Sequence, residues 1–164
     1  MKYSVIYSSR TGNTKLLADT ILESLSSDDC IYAGEPDVKA LDADIIYAGF
    51  WTDKGTCDEK FGEFIKNVKD RKLFLFGTAG FGQDPSYFKR IIERVKEILD
   101  PSVKLEGYYM CQGKMPLSVR ERYEKMLKNE DQAPRMKMLI ENFDTALSHP
   151  DKNDLEKLRK AIGA

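Results

Sequence analysis

Histidine, tryptophan and cysteine are scarce in this sequence: its 164 residues include one histidine, one tryptophan and three cysteines. The single histidine, His149, stands beside Pro150, so neither a Ser-His-Asp triad nor a histidine metal site is expected. An odd number of cysteines without a Cys-x-x-Cys pair predicts neither a disulfide framework nor a zinc site. Any reaction chemistry is therefore expected to come from a cofactor.

Long apolar runs and a surplus of one charge are also absent. The net charge is -1, so no overall field attracts the protein to nucleic acid or to anionic lipid. No apolar run approaches the roughly 20 residues that span a bilayer, and Ser8 and Arg10 interrupt the N-terminal segment too early for a signal peptide. We expect a cytoplasmic protein that binds neither nucleic acid nor membrane.

Short apolar runs alternate with amphipathic segments along the first two thirds of the chain. Strands are predicted at residues 3–7, 30–33, 45–49, 73–77 and 105–110. Helices are predicted at residues 13–25, 58–68 and 86–99. This β-α-β alternation favours a parallel sheet covered on both faces, in which ligands bind beyond the carboxyl ends of the strands.

Three more helical segments are predicted after Pro116, at residues 117–128, 135–147 and from Asp151 onward. The apolar face of the second favours core packing over a partner groove, and comprises Met136, Met138, Leu139, Phe143 and Leu147. No linker divides the chain. We expect one domain over residues 1–164, with a core at 1–112 and a helical extension at 113–164.

Hydroxyl and amide side chains are concentrated between the first strand and the first helix. This segment, which we call the phosphate loop, comprises Ser8, Ser9, Arg10, Thr11, Gly12, Asn13 and Thr14. Its hydroxyls and backbone N–H groups are predicted to meet at the positive end of a helix dipole, which suits a dianionic phosphate. The alternative is that these residues only cap the helix. Their density within seven positions favours phosphate binding.

Two other phosphate-binding patterns fit less well. The P-loop pattern is missing, because Gly107 and Gly113 are one residue too far apart and no hydroxyl follows the lysine. The dinucleotide fingerprint is missing, because Pro85 stands where the third glycine would follow Gly80 and Gly82. A nucleoside-triphosphatase and a dinucleotide-binding protein are therefore disfavoured.

The order and spacing of residues in this region resemble the flavodoxin signature. Two apolar residues and an aromatic residue precede Ser9, Gly12, Thr14, Ala18 and Ile21 at the flavodoxin positions. The resemblance implies FMN as the cofactor. It also implies a flavodoxin-like α/β fold with a doubly wound five-stranded parallel sheet in the order 2-1-3-4-5, here with extra C-terminal helices.

A second loop, predicted to follow the third strand, comprises Phe50, Trp51, Thr52, Asp53, Lys54, Gly55 and Thr56. The resemblance implies that Trp51 stacks on the flavin ring; the alternative is a tryptophan that packs on a helix. Gly55 is expected to let a peptide of the loop reorient. Lys54 is expected to attract the reduced, anionic ring, in opposition to nearby carboxylates from Asp53, Asp58, Glu59 and Asp84.

A third loop is predicted after the fourth strand and comprises Thr78, Ala79, Gly80, Phe81, Gly82, Gln83 and Asp84. It resembles the flavodoxin loop that closes over the other side of the ring. Its glycines allow the backbone to approach a ligand closely. Phe81 fits a second wall of the flavin site and a core position equally well, and Tyr87 is placed to reach the ring edge.

These loops and the segment 111–115 also resemble a short bacterial flavodoxin-like subfamily. Its members include the small flavoprotein that accompanies bacterial bilirubin reductase. The resemblance implies an FMN electron carrier between a donor reductase and an acceptor reductase, with bilirubin reductase as a candidate acceptor. Two alternatives stay open: an enzyme that itself oxidises NAD(P)H and reduces quinone-type substrates, and a non-redox module that binds phosphate. A thiol-redox role for Cys57 or Cys111 is disfavoured.

Overall fold

The computed structural model describes residues 1–82 and 84–164. Within them the strands are β1 (Tyr3–Tyr7), β2 (Cys30–Gly34), β3 (Ile45–Asp53), β4 (Thr56–Cys57), β5 (Lys72–Ala79) and β6 (Lys104–Gln112). The five long strands pair in parallel in the order β2-β1-β3-β5-β6. The predicted doubly wound order is confirmed, and the numbering changes only because the two-residue β4 pairs antiparallel with the end of β3.

The helices follow the predicted alternation closely. They are α1 (Asn13–Ser24), α2 (Glu59–Ile65), α3 (Pro85–Lys96), α4 (Leu117–Met126), α5 (Ala133–Ala146) and α6 (Lys152–Ala161). Aspartates cap α2, α3 and α6, because the side chains of Asp58, Asp84 and Asp151 accept hydrogen bonds from backbone N–H groups of the first turn. None of the helices in the described ranges combines the length and the apolar character needed to cross a membrane.

Helices cover both faces of the sheet. On one face, α2 and α3 pack with Phe61, Ile65, Ile91 and Val95 against strand residues that include Ile6, Ile46, Phe50, Leu73 and Leu75. On the other face, α1 and α6 pack with Leu17, Ile21 and Leu158 against Tyr3, Val5, Phe74 and Phe76. Burial of each such large side chain contributes about 1.5–3 kcal/mol. This packing fixes the carboxyl ends of β1, β3, β5 and β6 side by side.

The second predicted loop is a strand and a tight turn, so its assignment as a loop from residue 50 is wrong. β3 continues to Asp53 because β5 pairs with it as far as Trp51, opposite Thr78, and β4 pairs with Thr52 and Asp53. Lys54 and Gly55 then form a two-residue turn with φ values of 53° and 83°. A two-residue hairpin turn with both φ values positive is type I′, and its twist matches that of the strands it joins.

The helices α4 and α5 pack on each other, apart from the two core layers of the sheet. Met136 and Phe143 of α5 are buried as expected, whereas Met138 is 71% exposed and Leu147 is 54% exposed. The core interpretation of this face therefore holds only for its inner half. After α5 the chain returns to the point just after β6 from which α4 and α5 depart. There the Lys114 N–H donates a hydrogen bond of 3.0 Å to the His149 carbonyl.

Candidate functional site

The carboxyl ends of the strands surround a cavity of about 300 Å³. The phosphate loop, the β3–β4 hairpin, the third loop, the segment 113–116 and α4 all contribute to its walls. Eleven predicted site residues line it: Arg10, Thr11, Asn13, Trp51, Thr52, Asp53, Lys54, Gly55, Thr78, Gly80 and Phe81. Four further predicted residues are sequence neighbours of these lining residues but do not themselves line the cavity: Ser9, Gly12, Thr14 and Gly82. Gln83 of the third loop lies outside the described residues.

The phosphate loop presents free backbone donors at the start of α1. Gly12 caps the helix with φ 88°, a left-handed conformation that glycine adopts without steric cost. Within the described part of the chain, the backbone N–H groups of residues 10–14 donate no hydrogen bond. The first turn of α1 contains no acidic residue that would oppose an anion. This arrangement suits a phosphate.

The side-chain hydroxyls of the loop have other tasks. Thr14 is fully buried, donates a hydrogen bond of 3.1 Å to the Phe50 carbonyl, and lies 3.1 Å from the Thr78 hydroxyl oxygen. It thus joins α1 to β3 and β5 instead of facing the cavity. The Ser9 hydroxyl oxygen accepts a long bond of 3.4 Å from the Lys15 N–H. The N–H groups of the loop backbone, more than the hydroxyls of Ser9 and Thr14, are therefore available to an anion.

A carbonyl after β6 orients the loop. The Asn13 amide donates to the Lys114 carbonyl at 2.8 Å, and the Thr11 hydroxyl donates to the same oxygen at 3.4 Å. Gly113 makes this approach possible, because a Cβ there would collide with the Asn13 side chain. The sequence shows a glycine directly after the last apolar strand, but nothing in the sequence indicates that this glycine approaches Asn13.

Asp58 is a structural residue that sequence reasoning assigned to the flavin surroundings. It is buried, and its carboxylate accepts hydrogen bonds from the Ser8 hydroxyl at 2.6 Å, the Phe61 N–H at 3.2 Å and the Trp51 N–H at 3.3 Å. One side chain therefore ties the end of β1 to the end of β3 and to the start of α2.

The hairpin offers an aromatic wall and an unsatisfied hydroxyl. The Arg10 guanidinium lies over the Trp51 ring, 5.5 Å from its centroid. The Thr52 hydroxyl is buried without a hydrogen-bond partner among the described residues, although Thr52 lines the cavity. A buried hydroxyl without a partner is costly. Together with the free N–H groups of the phosphate loop, it fits a ligand that combines a phosphate, a flat ring and polar edges.

The third loop is held from behind. Its Gly80 carbonyl accepts hydrogen bonds of 3.0 Å from the amides of both Gln112 and Asn142. Phe81 is 41% exposed and packs edge-to-face with Tyr87, with 6.3 Å between ring centroids. Of its two predicted roles, the core position is thus excluded. The contribution of Asn142, on α5, could not be recognised from the sequence.

Positive charge dominates the lining of the cavity. Its charged side chains are Arg10, Lys54, Lys114 and Arg122, opposed by Asp53 alone. The expectation that carboxylates surround the ring is wrong for three residues. The Asp58 carboxylate bonds to groups inside the protein, and neither Glu59 nor Asp84 lines the cavity. Asp84 instead accepts hydrogen bonds from the backbone and the hydroxyl of Ser86, which lower its pKa.

The cysteines near the sheet are held as thiols. Burial is the main cause that raises the pKa of Cys57 and of Cys111 above the ordinary thiol value. The thiolate, which is the reactive form, is therefore disfavoured at both positions. All three cysteines are free. The expectation from the sequence that a thiol-redox role is disfavoured for Cys57 and Cys111 agrees with this environment.

A larger cavity of about 550 Å³ lies between α3, β6 and α6. His149 Nδ1 lies 2.6 Å from Asp154 Oδ2 there, and the Tyr109 hydroxyl donates to the Asp154 carbonyl at 2.7 Å. Asp151 and Asp154 form the capping box of α6. These polar groups hydrogen-bond to one another. They therefore cap α6 and hold it against β6.

The turn of the hairpin is fixed by Arg94 of α3, which donates a hydrogen bond of 2.9 Å to the Gly55 carbonyl. We expect Arg94→Met to accelerate amide hydrogen exchange in residues 52–57 about tenfold, because a charge-assisted hydrogen bond is lost. Lys89→Met, at an exposed position of the same helix, is the matched control. Equal exchange in both variants would exclude Arg94 as the residue that fixes the turn.

Fold and cavity together define a doubly wound α/β protein with a loop suited to a phosphate at the carboxyl edge of its sheet. The chain belongs to the flavodoxin family, because the family profile described as "Flavodoxin domain" matches residues 4–163. FMN is the cofactor of this family, in agreement with the sequence-based prediction.

Two relatives carry the name "Flavodoxin-like domain-containing protein BilS". The one from Clostridium symbiosum (strain WAL-14163) is 42% identical, and the one from Clostridioides difficile (strain CD3) is 33% identical. In both cases the match covers 94% of this chain and 90% of the relative. The sequence-based resemblance to a bacterial flavodoxin-like protein is thereby confirmed.

Solved structures show the same fold at lower identity. Oxidised flavodoxin 2 from Bacillus cereus has a TM-score of 0.57 at 20% identity, with 99% of this chain and 96% of that chain covered. A flavoprotein in complex with FMN from Lactobacillus acidophilus NCFM has a TM-score of 0.50 at 16% identity, with 67% and 93% covered.

Proposed function

We propose that this protein is an FMN-dependent electron carrier that passes electrons to a partner reductase. The observation that carries the proposal is the cavity, in which two loops and the β3–β4 hairpin converge and which no histidine or cysteine of the described residues lines. Such a lining offers cations, hydroxyl groups and aromatic side chains that can bind a flat, phosphorylated ligand. When bound, FMN supplies one-electron and two-electron redox chemistry.

The proposed cofactor site comprises Ser9, Arg10, Thr11, Gly12, Asn13, Thr14, Trp51, Thr52, Asp53, Lys54, Gly55, Thr78, Gly80, Phe81 and Gly82. Within it, the free N–H groups of residues 10–14 hold the phosphate, and Thr14 keeps the loop in place through its bonds to β3 and β5. Trp51 and Phe81 shield the ring from water. The unpartnered Thr52 hydroxyl hydrogen-bonds a polar edge of the ligand.

The partner and the place of action are part of the same proposal. The relatives named BilS match nearly the whole chain, and the subfamily that the sequence resembles accompanies bilirubin reductase. Bilirubin reductase is therefore the proposed electron acceptor. The carrier acts in the cytoplasm as one domain over residues 1–164, with its three cysteines reduced.

The first test is a visible absorption spectrum of the purified protein, titrated with FMN under anaerobic conditions. We expect one FMN per chain with a perturbed flavin spectrum, because ring and phosphate leave water on binding. Full reduction by a chemical reductant and reoxidation by a partner reductase are expected to follow. A colourless protein that ignores saturating FMN would instead support the non-redox phosphate-binding module.

A steady-state assay with NAD(P)H separates the carrier from the enzyme alternative. We expect no turnover with quinone-type acceptors when the protein is the sole catalyst. The control is the same mixture with a flavin reductase added, in which electrons should flow through the protein. Turnover without any added reductase would reject the carrier in favour of an NAD(P)H-dependent oxidoreductase.

A further inference from the structure

Four exposed cations line the cavity without a carboxylate partner. Within the described ranges, none of Arg10, Lys54, Lys114 and Arg122 lies within salt-bridge distance of an acidic group. The contrast along α4 is direct: Arg120 lies 3.0 Å from Asp144, whereas Arg122, on the side of the cavity, forms no ion pair. Arg120 is thus neutralised by a carboxylate, whereas these four side chains carry their positive charge to the wall of the cavity, with Arg10 over the Trp51 ring.

An isolated group of like charges repels itself and attracts anions. The phosphate of FMN accounts for two of the four cations. Arg10 belongs to the phosphate loop, and Lys114 contacts that loop through its carbonyl. The other two stand on different elements, Lys54 at the tip of the β3–β4 hairpin and Arg122 on α4. Asp53 and a dianionic phosphate together offset three of the four positive charges, so one net positive charge remains.

An apolar side chain accompanies these two cations at the surface. Phe81, which lines the same cavity, is 41% exposed. Aromatic residues and arginine are enriched at protein–protein interfaces. We call the surface formed by Lys54, Phe81 and Arg122 the cationic rim.

We propose that the cationic rim is the docking surface for an electron-transfer partner protein that presents an acidic patch. The inference rests on the proposed carrier function and adds the charge of the partner. It runs against the net charge of the chain, which is -1 and by itself would slightly favour a basic partner. A preference for an acidic partner would therefore come from the cationic rim and not from the net charge of the molecule.

Cytochrome c and its succinylated form are suitable probes, because they share one fold and one haem but carry opposite surface charge. The FMN-loaded protein is reduced anaerobically and mixed with each cytochrome in a stopped-flow instrument. At low ionic strength we expect the succinylated form to be reduced about tenfold faster than the native form. This advantage should shrink as salt approaches about 0.15 M, where the screening length is about 8 Å.

The variants Lys54→Glu and Arg122→Glu should each reduce the preference for the succinylated cytochrome, and the double variant should reverse it. Lys69→Glu is the matched control, since this exposed lysine precedes β5 at the opposite end of the sheet; it should keep the preference of the wild type. FMN content is measured for every variant. If a charge reversal prevents folding, Lys54→Gln and Arg122→Gln replace it, with a smaller loss of preference expected.

Several results would overturn the proposal. One is faster reduction of native cytochrome c, and another is equal reduction of both forms at low salt. A rate advantage for ferricyanide without one for succinylated cytochrome c would identify the cations as a small-anion site. Failure of the wild type to bind FMN, or to reduce either cytochrome, would refute the carrier function itself and is recognised separately from the absorption spectrum.

Discussion

Replacement of Asp58 by alanine is expected to lower the free energy of unfolding by about 3–5 kcal/mol. The helix cap of α2 is lost, and the buried Ser8 hydroxyl and the Trp51 N–H lose their acceptor at the same time. Each unsatisfied buried donor adds to the loss of the cap. Urea unfolding followed by circular dichroism measures the change.

Asp84→Ala is the matched control, because Asp84 also caps a helix but lies at the surface, where it accepts hydrogen bonds from the backbone and the hydroxyl of Ser86. Its loss of stability should be much smaller. Asp58→Asn should fall between the two, since its amide oxygen keeps part of the accepting capacity. Equal losses for Asp58→Ala and Asp84→Ala would show that the three-way contact contributes nothing beyond an ordinary cap.

Replacement of Gly12 by valine is expected to weaken FMN binding by about tenfold to a hundredfold. A β-branched residue at φ 88° is strained by about 1–3 kcal/mol, and the loop relieves this strain by turning its N–H groups away from the phosphate. Riboflavin, which lacks the phosphate, should bind the variant and the wild type with similar affinity. Fluorescence titration with both flavins measures the two affinities.

Gly163→Val controls for backbone strain alone. Gly163 also has a positive φ of 78°, and at both glycines an added Cβ would meet nothing within 4 Å. The Gly163 variant should be destabilised to a similar degree but bind FMN like the wild type. An unchanged FMN affinity in Gly12→Val would refute the assignment of residues 10–14 as the phosphate site.

The strands and the phosphate loop could be predicted because each is a local pattern, whereas the strand order followed from the resemblance to flavodoxins. Apolar runs of four to six residues indicate buried parallel strands, and the hydroxyl and amide side chains before the first amphipathic segment indicate a helix start. The end of β3 was missed, since Trp51 and Thr52 favour a strand but the resemblance to flavodoxins placed them in a ligand-binding loop. They form a strand because Trp51 pairs with Thr78 of β5, and Thr52 and Asp53 pair with β4.

The supports of the site were out of reach for a related reason. Asp58 follows a loop-like segment and resembles an ordinary helix cap, and its link to Ser8 spans 50 positions of sequence. Gln112 lies at the end of an apolar strand, and its amide bonds to the Gly80 carbonyl and to the Asn142 side-chain oxygen. Such contacts depend on tertiary packing, which no local pattern encodes.

The hydrogen bond between the Lys114 N–H and the His149 carbonyl affects how the chain can change in evolution. Residues 115–148 leave the fold and return to it at nearly the same point, so they form a closed excursion. Because closure does not depend on the path between the two ends, this segment can lengthen, shorten or be exchanged while the sheet keeps its register. Arg122 of the cationic rim and Asn142, which holds the third loop, both stand on it, so a change in this segment alters the partner surface and the cofactor site together.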